Sequence, residues 1–163
     1  NKEVMMLSIN NRTTLSSTRA LKTLLLSAAL ISVGANSALA KTSDTPIHFA
    51  KGAISSVVTG KLRPNEQERW YRFNAAAAQY AIINIAPLTG TSETANVGVL
   101  HMPNGKYDGT KGGIIYQGCL PATGEYRLRI ARNLMATHGE TAGYKAEVMV
   151  LPKFASKSLC ADK

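Results

Sequence analysis

Arg132 and Asn133 open a loop that runs to Gly143 and also carries Met135, His138 and Glu140, and these are the residues of the chain best suited to chemistry. A guanidinium is a permanently charged planar fork that grips a carboxylate through two parallel N–H bonds. An Arg-Asn pair at a strand end therefore suits recognition of an acidic group on a partner. It equally suits a solvated arginine next to an asparagine that closes a turn. Leu134 and Met135 are out of character in a loop: they form either an exposed apolar anchor or a pair folded back under the body of the domain. His138 is either a donor to a partner's carboxylate or an ordinary surface histidine. Trp70, the single tryptophan, is either a ring platform or a side chain packed beneath a loop. Arg127 and Arg129 fall on one face of a strand, where they extend a basic patch with Arg69 or Arg72, or form a solvated face balanced by Glu125.

Catalytic and metal-binding patterns do not emerge from the same residues. His48, His101 and His138 are spaced without any of the short intervals that bring zinc ligands together. The few carboxylates are scattered mostly in turns, and neither a G-x-S-x-G elbow nor a Cys-His arrangement occurs. The expectation is a binding protein and not an enzyme, with no metal and no cofactor.

The elements that position these residues read as short strands. Arg69 to Asn74 alternates, with Tyr71 and Phe73 on one side and Trp70 and Arg72 on the other. Ala75 to Ala78 is too short to stand as a helix between two strand patterns, and reads as a tight connection. Isoleucine-rich Tyr80 to Leu88 and then Val97 to Met102 follow, the latter leading into a Pro-Asn-Gly-Lys turn at 103 to 106. Ile114 to Leu120, Glu125 to Ala131 and Tyr144 to Leu151 complete the pattern. Ile47 to Leu62 carries strand-like runs broken at Gly52 and Gly60, Thr42 to Pro46 reads as an unstructured lead-in, and Tyr107 to Gly113 as an exposed glycine-rich loop. Seven or eight strands with turns at this spacing predict an all-β protein, a single antiparallel β-sandwich.

Compartment follows from the first forty residues. Arg12, Arg19 and Lys22 precede the apolar run Leu24 to Val33, and Ala38-Leu39-Ala40 supplies a signal-peptidase pattern. Residues 1 to 40 are expected to be removed before Lys41, leaving 41 to 163 as one domain with no membrane span. That part holds 15 Lys and Arg against 9 Asp and Glu, a net charge of +6. In an exported chain such a charge points away from nucleic acid and toward an acidic protein, an anionic glycan or the cell envelope. Cys119 and Cys160 are the only cysteines, and in an oxidising compartment they are expected to pair.

RWYRF with its small-residue turn and Gln79, then PNGK, LPATGEYRLRI and GYKAEVMV, together resemble the bacterial pre-peptidase C-terminal domain, a jelly-roll-like sandwich. A freestanding exported chain of this size is similar, within that architecture, to the periplasmic inhibitors of goose-type (g-type) lysozyme, over roughly residues 50 to 151. The resemblance implies core positions at Tyr71, Phe73, Leu128, Ile130 and Tyr144, with Gly124 in the turn before its strand. It implies lysozyme as the partner, met by Arg132, Asn133, Met135 and His138, with Arg129 and Trp70 beside them. A strand-end loop beginning Arg-Asn would plug the enzyme's cleft, although Leu134, Met135 and Ala136 stand where more polar and basic residues are expected. A lysozyme holds a carboxylic acid that protonates the glycosidic oxygen, so an inserted guanidinium would silence that acid without chemistry of its own.

Overall fold

The structure is a computed structural model that describes residues 44–136 and 138–161. The expected leader at 1 to 40, with its cleavage site, lies outside the described residues. Among the described residues ten strands and one helical turn follow one another: β1 (Thr45–Pro46), β2 (Ser55–Leu62), β3 (Glu68–Ala75), β4 (Tyr80–Ala86), β5 (Glu93–Thr94), β6 (Val97–His101), β7 (Tyr107–Lys111), β8 (Gly113–Cys119), β9 (Gly124–Ala131), β10 (Ala142–Val150) and α1 (Lys153–Ser156). One sheet has the order β1-β3-β9-β6-β7. The other has the order β2-β10-β4-β8, with β5 beside β10.

Apart from the two-residue strands β1 and β5, eight strands remain, and all their pairings are antiparallel. The ladders β2/β10, β3/β9, β4/β8 and β6/β7 join first to last and inward, as in one long hairpin, and the two sheet orders are those obtained by rolling that hairpin up. This is jelly-roll topology. The expected sandwich of seven or eight strands is therefore present, with two short strands added at its margins.

Alternation builds the core. Tyr71 and Phe73 of β3, Tyr126, Leu128 and Ile130 of β9, Leu100 of β6, and Ala81, Ile83 and Ile85 of β4 point between the sheets, where Tyr144, Ala146 and Val148 of β10 meet them. Two polar hydroxyls are spent inside this layer. Tyr71 and Tyr144 hydrogen-bond to each other at 2.5 Å, which satisfies both while burial, and then that bond, push the Tyr144 hydroxyl far above the usual tyrosine range. Tyr126 donates to the carbonyl of Ala122 at 2.6 Å and thereby ties the Pro121–Gly124 turn to β9.

Three local expectations are corrected. Tyr107 to Gly113 is not a loop: residues 107 to 111 pair with β6, whose ladder overrides the poor strand propensity of Asp108 and Gly109. Gly60 is no break but lies inside β2, because a Cβ there would sit 2.2 Å from the Tyr144 hydroxyl. The lead-in is also partly ordered, Thr45 and Pro46 running parallel to Tyr71 and Arg72. The chain after Pro152 forms the short α1, which the alternation pattern did not foreshadow. It is fixed by Ser156, whose buried Oγ accepts from the Tyr80 amide at 2.8 Å. Ala75 to Ala78 is the tight connection expected, with the Gln79 side chain accepting from the Ala76 amide and donating to the Leu151 carbonyl.

The Cys119–Cys160 disulfide joins the end of β8 to the segment after α1 across a sequence separation of 41. Closing a loop of that length restricts the unfolded chain. Replacing both cysteines by serine is expected to lower the unfolding free energy by about 2–4 kcal/mol. Denaturant melts of the double variant against the oxidised chain measure this, and coincident midpoints would contradict it.

Candidate functional site

At one end of the sandwich three loops converge on a single side chain, Arg132, which leaves β9 pointing inward. Its Nε donates to the Glu66 carbonyl at 2.8 Å, Nη1 to Glu93 Oε2 at 3.0 Å and to the Glu140 carbonyl at 2.6 Å, and Nη2 to the carbonyls of Leu62 and Arg63 at 2.7 and 2.6 Å. Only 2% of the side chain is exposed. The guanidinium is thus fully spent on the protein itself, and the expectation that Arg132 reaches a partner is corrected. A buried arginine must find acceptors for all its donors, and the bare carbonyls of these loops supply them.

Glu93 completes the knot. Its carboxylate, 9% exposed, takes Arg132 on Oε2 and the amides of His138 and Glu140 on Oε1, at 2.5 and 3.2 Å. Burial pushes this acid upward, but the two amides and the Arg132 charge outweigh it and hold Glu93 below the usual glutamate range. The loop between β9 and β10 is therefore pinned at its start by Arg132 and near its end by Glu93. Between the pins it turns on Asn133, whose Oδ1 accepts from the Met135 amide at 3.2 Å and whose carbonyl accepts from Ala136 at 2.9 Å. Asn133 is half-buried and serves the turn. Leu134 and Met135 are not folded under the body: they are 70% and 91% exposed at its tip. The His138 side chain is also exposed. Across the knot stands Arg63, its carbonyl held by Arg132 while its guanidinium, 78% exposed, contacts Glu66 at 3.7 Å.

Trp70 and Arg129 belong to a second surface, the outer face of the β1-β3-β9-β6-β7 sheet. Register sets its rows: Arg72, Arg127, His101 and Tyr107 lie side by side across β3, β9, β6 and β7, and Trp70, Arg129, Val99 and Gly109 form the next row. Arg72 thus joins the basic face with Arg127, whereas Arg69 has the opposite parity and bonds to Glu66 and the Lys61 carbonyl. Arg127 lies over the Trp70 ring, 4.5 Å from its centroid, and pairs with Asp44. Glu68 accepts from Trp70 Nε1 at 2.7 Å and from Arg129 at 3.1 Å. Because Gly109 contributes no side chain, a groove of about 570 Å³ runs over Val97 and Val99 between Trp70 and Arg129 on one side and Tyr107 and Lys111 on the other. His101 closes one end. Burial, then the charges of Arg129 and Arg127, hold its imidazole below the usual histidine range.

Among the described residues, no three His, Cys, Asp or Glu side chains gather as metal ligands. Sequence reasoning brought Asn133, Met135 and His138 to one loop, and the structure agrees. It missed Glu93 and Arg63, which lie 39 and 69 residues from Arg132 and carry no local signal. It missed the groove because its far wall, β7, was read as a loop, although the alternation of Val97, Val99 and His101 already marked an outward face.

Removing Arg132 leaves four loop carbonyls and a carboxylate without their donor. Arg132→Ala is therefore expected to cost roughly 3–5 kcal/mol in denaturant unfolding, and a loss within error of zero would contradict the knot. Glu93 binds fewer protons folded than unfolded. Its contribution is complete above its ordinary value of 4.5 and is lost as the pH falls below that. The melting-temperature gap between the native chain and Glu93→Gln should accordingly be open at neutral pH and close in acid. A gap that does not vary with pH would show that Glu93 is not held as an ion.

No family model matches the sequence, and no curated protein matches it. Solved structures do. Aeromonas hydrophila PliG, a periplasmic lysozyme inhibitor of g-type lysozyme, aligns with a TM-score of 0.53 at 20% identity, over 67% of this chain and 96% of the other. Salmonella Typhimurium PliG, described in the same words, aligns with a TM-score of 0.51 at 19% identity over 67% and 98%. A mutant of the Escherichia coli PliG aligns at 0.50 and 22% over 66% and 97%. At these identities the likeness is one of fold: the chain shares the sandwich of the periplasmic inhibitors of g-type lysozyme, along nearly their whole length.

Proposed function

We propose that this chain is an exported, periplasmic inhibitor of lysozyme, of the g-type, and that it occludes the enzyme's cleft with the loop end of the sandwich. The observation that carries the reading is the Leu134–Met135 tip: two large apolar side chains held out into solvent on a loop whose base is locked by Arg132 and Glu93. An exposed apolar tip is costly to keep unless something covers it. Fixing its base in advance removes much of the ordering entropy that binding would otherwise consume. The fold shared with PliG supports the choice of partner.

The mode differs from the one the sequence suggested. Arg132 positions the loop, and the guanidinium that meets the enzyme's catalytic acid is that of Arg63, exposed on the neighbouring loop. Met135 and Leu134 fill the cleft and keep water out, and His138 lies on the same rim. A charge-assisted bond from Arg63 would hold the acid ionised and so prevent proton donation to the glycosidic oxygen. No catalysis by the chain is involved.

A lysis assay tests this, with the purified chain titrated into g-type, chicken-type and invertebrate-type lysozymes acting on cell walls. Selective loss of g-type activity is expected. Met135→Asp should weaken inhibition by roughly tenfold or more and Arg63→Ala by a similar factor, since central anchors and charged bonds carry changes of that size. Full activity of all three enzymes with the chain in excess would end the proposal.

A further inference from the structure

We infer that the outer-face groove over β6 is a separate binding site, and that it takes a saccharide bearing carboxylates. Three features of its lining converge on that class of ligand. The first is a file of rings across the sheet: the Trp70 and His101 centroids are 5.1 Å apart, and those of His101 and Tyr107 6.0 Å. Tyr107, 73% exposed, stands at the open end of the file. Adjacent ring faces beside an apolar floor match the C–H face of a sugar, while the tyrosine hydroxyl and a neutral imidazole, which donates from one nitrogen and accepts at the other, match its hydroxyls. The second is charge. Arg129 and Lys111 line the groove on opposite sides, and no Asp or Glu is among the described residues that line it. Arg129 commits Nη1 to Glu68, and 34% of its side chain is still exposed beside the groove. Carboxylates spaced along a sugar chain answer both cations.

The third is shape. From Val97 to His101 the floor extends roughly 13 Å, and the groove's volume of about 570 Å³ falls in the range of ligand clefts. It lies over β6, whose backbone N–H and C=O groups are already consumed by the ladders to β9 and β7. An acidic peptide lying over β6 would find no main-chain partners there, which it normally obtains from a sheet edge. A saccharide needs none. The groove shares no lining residue with the loop tip, so the inference is independent of the lysozyme reading.

Tetragalacturonate and its methyl ester, the same chain without charge, are the probes. The readouts are the fluorescence of Trp70, the single tryptophan, and the amide resonances of Val97 to His101. The free acid should bind saturably and shift those resonances. Binding should weaken by roughly tenfold or more for the ester and for Lys111→Gln and Arg129→Gln, each checked to melt like the native chain. The inference is overturned if the acid produces no saturable change, if the ester binds equally well, or if the glutamine variants bind like the native chain. Tighter binding of tetraglutamate would also overturn it and assign the groove to acidic peptides.

Discussion

A buried guanidinium has to be answered on every side, and the loop end of this protein is arranged around that demand. Arg132 takes its acceptors from the β2–β3 connection, from Glu93 of β5 and from the far end of its own loop. Glu93 in turn needs donors, and two amides of the β9–β10 loop provide them. Three segments distant in sequence are thereby fixed relative to one another. Loops in a small sandwich are otherwise its least stable parts. A charge pair of this kind is weak as a source of net stability, because burial costs each ion its hydration. Its effect is to select one loop conformation among many.

Specification of that conformation is what gives meaning to the exposed tip. Leu134 and Met135 on a freely moving loop would collapse onto the nearest apolar surface. Between the Arg132 and Glu93 anchors, with Asn133 closing the turn, they remain outside. The other surface is organised by different means. On the outer face, strand register alone places rings, valines and cations in rows, and a glycine opens the groove between them. One sandwich thus presents a projecting, irregular end and a flat, periodic face, each suited to a different kind of partner.

Much of the fold was legible because it is written in short-range pattern. Alternation through Tyr71 and Phe73 identified β3 and its two sides, and the pattern from Glu125 to Ala131 identified β9, without any knowledge of pairing. The turns declared themselves through Pro-Asn-Gly and Thr-Gly, and two cysteines left one pairing. Less of the site was legible, for a physical reason. Whether Arg132 points out or in depends on acceptors brought from residues 62 to 66 and 93, and nothing near Arg132 in the chain announces them. Leu134 and Met135 were ambiguous in the same way, since burial is a property of what surrounds a residue. Strand β7 was missed because Asp108 and Gly109 are poor strand formers that the β6 ladder recruits regardless.

The locked loop end is the surface proposed to meet a lysozyme. Hydrogen exchange of the backbone amides, with and without a g-type lysozyme in excess, tests this most directly. Protection concentrated in residues 132 to 141 and 63 to 67, with β6 and β7 unchanged, is the predicted result. Protection confined to the outer face, or no change anywhere in the chain, would contradict it.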